Sequence, residues 1–160
     1  MTYKDTLHKI IKTTFSGNKP TQCPQDENGF DDAVRKNILI VEDDELLLSI
    51  YVNKFKKHNF EVKTALTGES AFTILRDGFK PDILLIDLIL PVINGFEVFE
   101  TIKKENLAQG AVAIMLTNQG LTSEIGKAKD SGFQGFIVKA MISSSDLVQK
   151  VLEIYRENKK

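Results

Sequence analysis

Glu42, Asp43 and Asp44 follow directly on the apolar run Ile38-Leu39-Ile40-Val41, and Asp87 follows Ile83-Leu84-Leu85-Ile86. Thr117 closes the run from Val112 to Leu116, and Lys139 closes Phe136-Ile137-Val138. Carboxylates, a hydroxyl and an ammonium therefore stand at the ends of four apolar runs. Two carboxylates ~4 Å apart repel by about 4 kcal/mol at an effective dielectric of roughly 20. Either one is protonated or a cation lies among them. All-oxygen ligands at a loop edge favour Mg²⁺, which is held by one or two carboxylates and keeps several waters. Mg²⁺ also neutralises phosphoryl oxygens, and Thr117 and Lys139 supply donors for the remaining ones. Such a set suits phosphoryl chemistry.

The chemistry needs elements that bring these residues to one place. The four unbroken apolar runs read as strands covered on both faces, as in parallel sheets. Between Phe60 and Ala65 the residues alternate instead, with Phe60, Val62 and Thr64 set against Glu61 and Lys63. That alternation predicts an edge strand with one wetter face. Helical segments fall between the strands. Glu45 to His58 carries an apolar stripe read through Leu46, Ile50 and Phe55. Glu69 to Arg76 carries Ala71, Phe72 and Leu75, with Gly78 placed for a left-handed cap. Gly95 to Glu105 carries Phe96, Phe99 and Ile102. Thr122 to Lys129 is interrupted by Gly126 at a cost of about 1 kcal/mol relative to Ala. Ser145 is placed to cap a last helix whose inner face is Leu147, Val148, Val151, Leu152 and Tyr155. Five strands and five helices in alternation predict a doubly wound α/β sandwich with right-handed crossovers. In such folds ligands bind beyond the carboxyl ends of the strands.

These motifs, in this order and each at a strand end, resemble the receiver domain of two-component response regulators. Pro91 and Gly95 stand at the family's offsets from Asp87, and the resemblance runs from about Lys36 to the C-terminus. It implies a flavodoxin-like parallel sheet of order 2-1-3-4-5. It also implies that Asp87 is the phosphoacceptor, served by a histidine kinase, a phosphotransfer protein or a small phosphodonor. Asp43 and Asp87 would hold Mg²⁺, with Glu42 acting through water and Ile89 through its carbonyl. Thr117 would bond the phosphoryl group, Lys139 would pair with it, and Phe136 would be the switch aromatic that follows Thr117. By this reading the chain is no enzyme beyond its own phosphorylation and dephosphorylation. The chain departs from the family in Ala140, where proline usually follows the lysine, and in Asn118, where a smaller residue is usual. Ile89 and Gln119 occupy positions that tune dephosphorylation; neither is charged, and a long-lived phosphorylated form is expected.

Composition bounds the rest. With 42% hydrophobic residues the chain can build a core, and its net charge of -1 gives no electrostatic case for nucleic acid. A single cysteine, Cys23, excludes an internal disulfide. No apolar run reaches the ~18 residues of a membrane span, and a cytoplasmic protein is expected. Residues 1–35 read as an extension before a receiver at 36–160: a short amphipathic helix with Tyr3, Leu7, Ile10, Ile11 and Phe15 on one face, then a polar linker. About 36 residues are too few for the helical bundle of a phosphotransfer domain, so His8 is no phosphorelay site. His58 sits where a cation suits a helix end. The chain ends soon after the fifth helix, and output is expected through an unknown protein partner or onward phosphotransfer. Two rivals stand beside this reading. One is a pseudo-receiver that works only as an interaction module. The other is a Mg²⁺-dependent aspartyl-phosphate phosphatase of the haloacid dehalogenase type, whose nucleophile would follow the first strand.

Overall fold

The computed structural model describes residues 34–118, 120 and 122–160. The expected N-terminal helix and linker, with His8 and Cys23, lie outside the described residues, as does Gln119.

Elements alternate along the chain as expected: β1 (Lys36–Val41), α1 (Glu45–Lys57), β2 (Phe60–Ala65), α2 (Gly68–Arg76), β3 (Ile83–Asp87), α3 (Gly95–Lys104), β4 (Val112–Thr117), α4 (Thr122–Asp130), β5 (Gly135–Val138) and α5 (Ser144–Asn158). A short 3₁₀ turn, Lys139–Met141, follows β5. The strands form one parallel sheet in the order β2-β1-β3-β4-β5. Because side chains alternate along a strand, each apolar run feeds two cores. Leu39, Val41, Leu84 and Ile86 face the layer of α2, α3 and α4, while Ile38, Ile40, Ile83 and Leu85 face α1 and α5. β2 lies at the sheet edge as expected. Its burial does not alternate strictly, however: Phe60 and Ala65 are buried while Lys63 and Thr64 are both exposed, so Thr64 does not share the covered face with Phe60.

Local chemistry stops and starts the helices. Asp44 caps α1 by accepting from the Leu47 amide. Thr67 with Ser70, and Asn94 with Glu97, form capping boxes at α2 and α3. Gly78 adopts φ +99° just after α2, the left-handed conformation expected there.

Two expectations are corrected. The buried face of α1 is Leu48, Tyr51 and Phe55, whereas Leu46 is 73% exposed and Ile50 is partly exposed. The segment Leu46 to Val52 is apolar nearly all round, so periodicity alone leaves its phase open, and contact with the sheet selects it. The cap of α5 is Ser143, whose hydroxyl accepts from the Asp146 amide. Ser145 lies inside the helix and its hydroxyl accepts from Lys54 Nζ. Three consecutive serines offered three possible starts, and Ser143 is the one with extended backbone before the first helical residue.

Candidate functional site

Strand register builds the site. Val41 pairs with Ile86, which puts Glu42 level with Asp87 at the carboxyl edge of the sheet. Asp87 pairs with Leu116, so Thr117 stands one residue beyond it, and Thr117 pairs with Val138, so Lys139 stands one beyond that. The strand ends form a staircase from β1 through β3 and β4 to β5.

Among the described residues the buried polar side chains are Glu42, Asp87 and Thr117. Lys139 Nζ bridges the two acids, 2.9 Å from Glu42 Oε2 and 3.0 Å from Asp87 Oδ2. The other oxygens also have partners: Glu42 Oε1 accepts from the Asp44 amide at 3.2 Å, and Asp87 Oδ1 from the Ile89 amide at 3.3 Å. Lys139 reaches both acids with no cis peptide among the described residues, so Ala140 in place of the family's proline is compatible with this contact.

Burial pushes the Glu42 carboxyl above its ordinary range, and the charge of Asp87 adds to the effect against the hydrogen bond from Lys139. Burial works to lower the Lys139 ammonium, but hydrogen bonds to Glu42 and Asp87 outweigh it and hold that group above its ordinary value. The ammonium is therefore a fixed positive charge at neutral pH.

Oxygens of Glu42, Asp43 and Asp87 all lie within 4.8 Å of one another, with Asp43 exposed. Three carboxylates against one ammonium leave two negative charges uncompensated when all are ionised. An oxygen-only set with that charge and an open side fits a hard divalent cation. Glu42, Asp43, Asp87 and Lys139, all singled out from the sequence, are thus brought together at one edge of the sheet. Ile89 contributes its amide to Asp87, and its side chain is 63% exposed. Phe136 is buried in the core on the α2, α3 and α4 side, paired in register with Met115.

One neighbouring group was not singled out in the sequence. Tyr51, on the inner face of α1, lies within electrostatic reach of Glu42, Asp87 and Lys139, and burial pushes its hydroxyl up to about 12. No local signal marks it, because its position follows from the phase of α1. Gly95 has a marked place in the sequence, but its reason is steric. A Cβ there would clash with the Asp87 carbonyl oxygen, so the first turn of α3 closes directly onto the Asp87 backbone.

The model of the response regulator receiver domain matches residues 38–152. The chain belongs to this family. Its members are the phosphoacceptor modules of two-component signalling, response regulators rather than enzymes in the ordinary sense. Similar proteins include the probable transcriptional regulator ycf29 of Porphyra purpurea, 30% identical over 76% of this chain and 58% of that protein. The DNA-binding response regulator MtrA of Mycobacterium tuberculosis H37Rv is 29% identical over 79% of this chain and 54% of its own length. The chain thus spans little more than half of these relatives. Among solved structures, a CheY-like receiver domain protein from Methanospirillum hungatei JF-1 aligns with TM-score 0.68 and 27% identity, over 78% of this chain and 97% of that one. The chemotaxis response regulator CheY4 of Vibrio cholerae shares the fold with TM-score 0.69 at 21% identity, over 76% and 99% of the two chains. Among the described residues no helix of this receiver is long and apolar enough to cross a membrane.

Proposed function

We propose that this receiver takes a phosphoryl group onto Asp87, delivered by a phosphohistidine of a histidine kinase or phosphotransfer protein or by a small phosphodonor, and so switches a protein-binding surface. The observation that carries the reading is the buried Lys139 bridge between Glu42 and Asp87, set beside the exposed Asp43. In the transfer, an Asp87 carboxylate oxygen attacks phosphorus and the bond from phosphorus to the donor atom breaks, a nitrogen in phosphohistidine or phosphoramidate and an oxygen in acetyl phosphate. That donor atom keeps the electron pair, and Asp87 becomes an acyl phosphate. Glu42, Asp43, Asp87 and the Ile89 carbonyl would hold Mg²⁺, which neutralises phosphoryl oxygens when bound. Lys139 follows the negative charge from the carboxylate to the phosphoryl group without changing its own protonation. Thr117, on the neighbouring strand end, supplies a hydroxyl, and Phe136, buried on β5, supplies the aromatic that responds to it.

The rivals draw less support. In the phosphatase a nucleophilic Asp follows the first strand with a second Asp two residues on, whereas Glu42-Asp43-Asp44-Glu45 after β1 holds no such pair. A module without chemistry has no use for three gathered carboxylates that raise one another's cost. The N-terminal residues 1–35 we assign to an extension outside the receiver proper. Whether nucleic acid is bound is a question for the whole protein, since the MtrA relatives are DNA-binding regulators.

The test is intact mass after incubation with acetyl phosphate or phosphoramidate and Mg²⁺. A gain the size of one phosphoryl group is expected, and D87N should abolish it. A gain that persists in D87N, or none in the native chain, would reject Asp87 as acceptor.

A further inference from the structure

The loop between β3 and α3 contains one backbone conformation that its sequence disfavours. Val92 has φ +70°, and the Ile93 amide donates to the Pro91 carbonyl at 2.9 Å. A bond from residue i+2 back to residue i around a positive φ is the strained form of γ-turn, and a β-branched residue there is a true outlier. The Val92 side chain is 100% exposed, so no contact within the fold offsets the strain. The flanks are clamped. Leu88 and Leu90 are buried, the Gly95 amide donates to the Leu88 carbonyl at 2.8 Å, and Asn94 caps α3. Ile93 fills the space that a Cβ on Gly68 would occupy. Between these anchors the exposed side chains are Pro91 and Val92, and Ile89 stands exposed next to the acceptor.

Strain of this kind collects at ligand clamps and switches, where it is part of the mechanism. Here it accompanies an arrangement in which Asp87 is satisfied by the protein's own donors, the Ile89 amide on Oδ1 and Lys139 on Oδ2. If the Ile89 carbonyl is to reach a cation on Asp87, as the proposed site has it, the turn of that peptide falls on the backbone of residues 89 to 92, because both flanks are held.

We propose that the γ-turn at Val92 is a spring that raises the energy of the self-satisfied site and so favours the arrangement that accepts a divalent cation and a phosphoryl group. The inference rests on the reading of Asp87 given above. Glycine at this position removes the strain from the self-satisfied arrangement, deepening it relative to the accepting one.

The test compares the native chain with V92G and V92A, each by urea unfolding in EDTA and by calorimetric titration with Mg²⁺. V92G should unfold at higher urea in EDTA, and its Mg²⁺ dissociation constant should rise about five- to 150-fold, the range that strain of this order allows. V92A keeps a Cβ and most of the strain and should stay within a few-fold of the native affinity. If V92G folds poorly, V92N serves in its place, since asparagine tolerates the left-handed region. A V92G chain stabilised equally with and without Mg²⁺, its affinity unchanged, overturns the spring alone. Equal loss of affinity in V92A and V92G also overturns it, by assigning the effect to the side chain. A native chain that binds no Mg²⁺ overturns the spring together with the metal reading.

Discussion

Glu42 is almost fully buried, with one oxygen on the Lys139 ammonium and the other on the Asp44 amide. Its carboxyl is held above the ordinary value of 4.5, chiefly by burial, so the folded chain binds that proton more tightly than the unfolded one. For a raised pKa the contribution to stability is complete below the unfolded value and is lost as pH rises through the folded value. In EDTA, the stability of the native chain relative to E42Q should therefore fall as pH rises from about 4.5 through that higher value. Urea midpoints of both chains across this window measure it, and a pH-independent difference would contradict it. Lys139, also raised, follows the same sign in a different range: its share holds below the ordinary value of 10.5 and is lost as pH rises from there through its elevated pKa.

At the scale of elements, two helix positions beside the site pull in opposite directions. Asn94 caps α3 by accepting from the Phe96 and Glu97 amides while Glu97 reaches back to the Asn94 amide. N94A should cost about 1 kcal/mol, as lost caps generally do. Gly126 lies within α4, and a Cβ added there would meet nothing within 4 Å. G126A should therefore stabilise by about 0.5–1 kcal/mol, because the helix gains propensity without a clash. Chemical denaturation of both variants tests the pair. A destabilised G126A would show that α4 needs the glycine for another reason. Of the helix's residues only Ile125 and Ala128 are buried, the sparse anchoring suited to an element that shifts.

For the molecule as a whole, the two apolar layers hold the strand ends in register and so hold like charges together. A cation that binds only the folded chain adds stability by mass action, about 2.7 kcal/mol at a hundred times its dissociation constant. Saturating Mg²⁺ should raise the urea midpoint of the native chain, and D43N should lose most of that gain. Because Asp43 is exposed, D43N should leave the stability in EDTA within about 0.5 kcal/mol of the native value. Equal gains from Mg²⁺ in both chains would remove Asp43 from the metal site.

Much of this receiver was legible in its residues. Strand runs, their alternation with helices and the polar residue that ends each run depend on local sequence, and all appear in the structure. The side chains that meet at the sheet edge were named correctly because each sits at the end of a strand, where chain geometry leaves little choice. Other features depend on contacts between distant segments. The phase of α1, and with it the inward place of Tyr51, was decided by packing, since a helix apolar nearly all round can present several faces. The cap of α5 was chosen among three serines by where the chain leaves the 3₁₀ turn. The steric need for Gly95 and the strain at Val92 arise only when the loop closes between Asp87 and α3. Local preference specifies which elements form, but only their assembly determines which atoms come within hydrogen-bond reach.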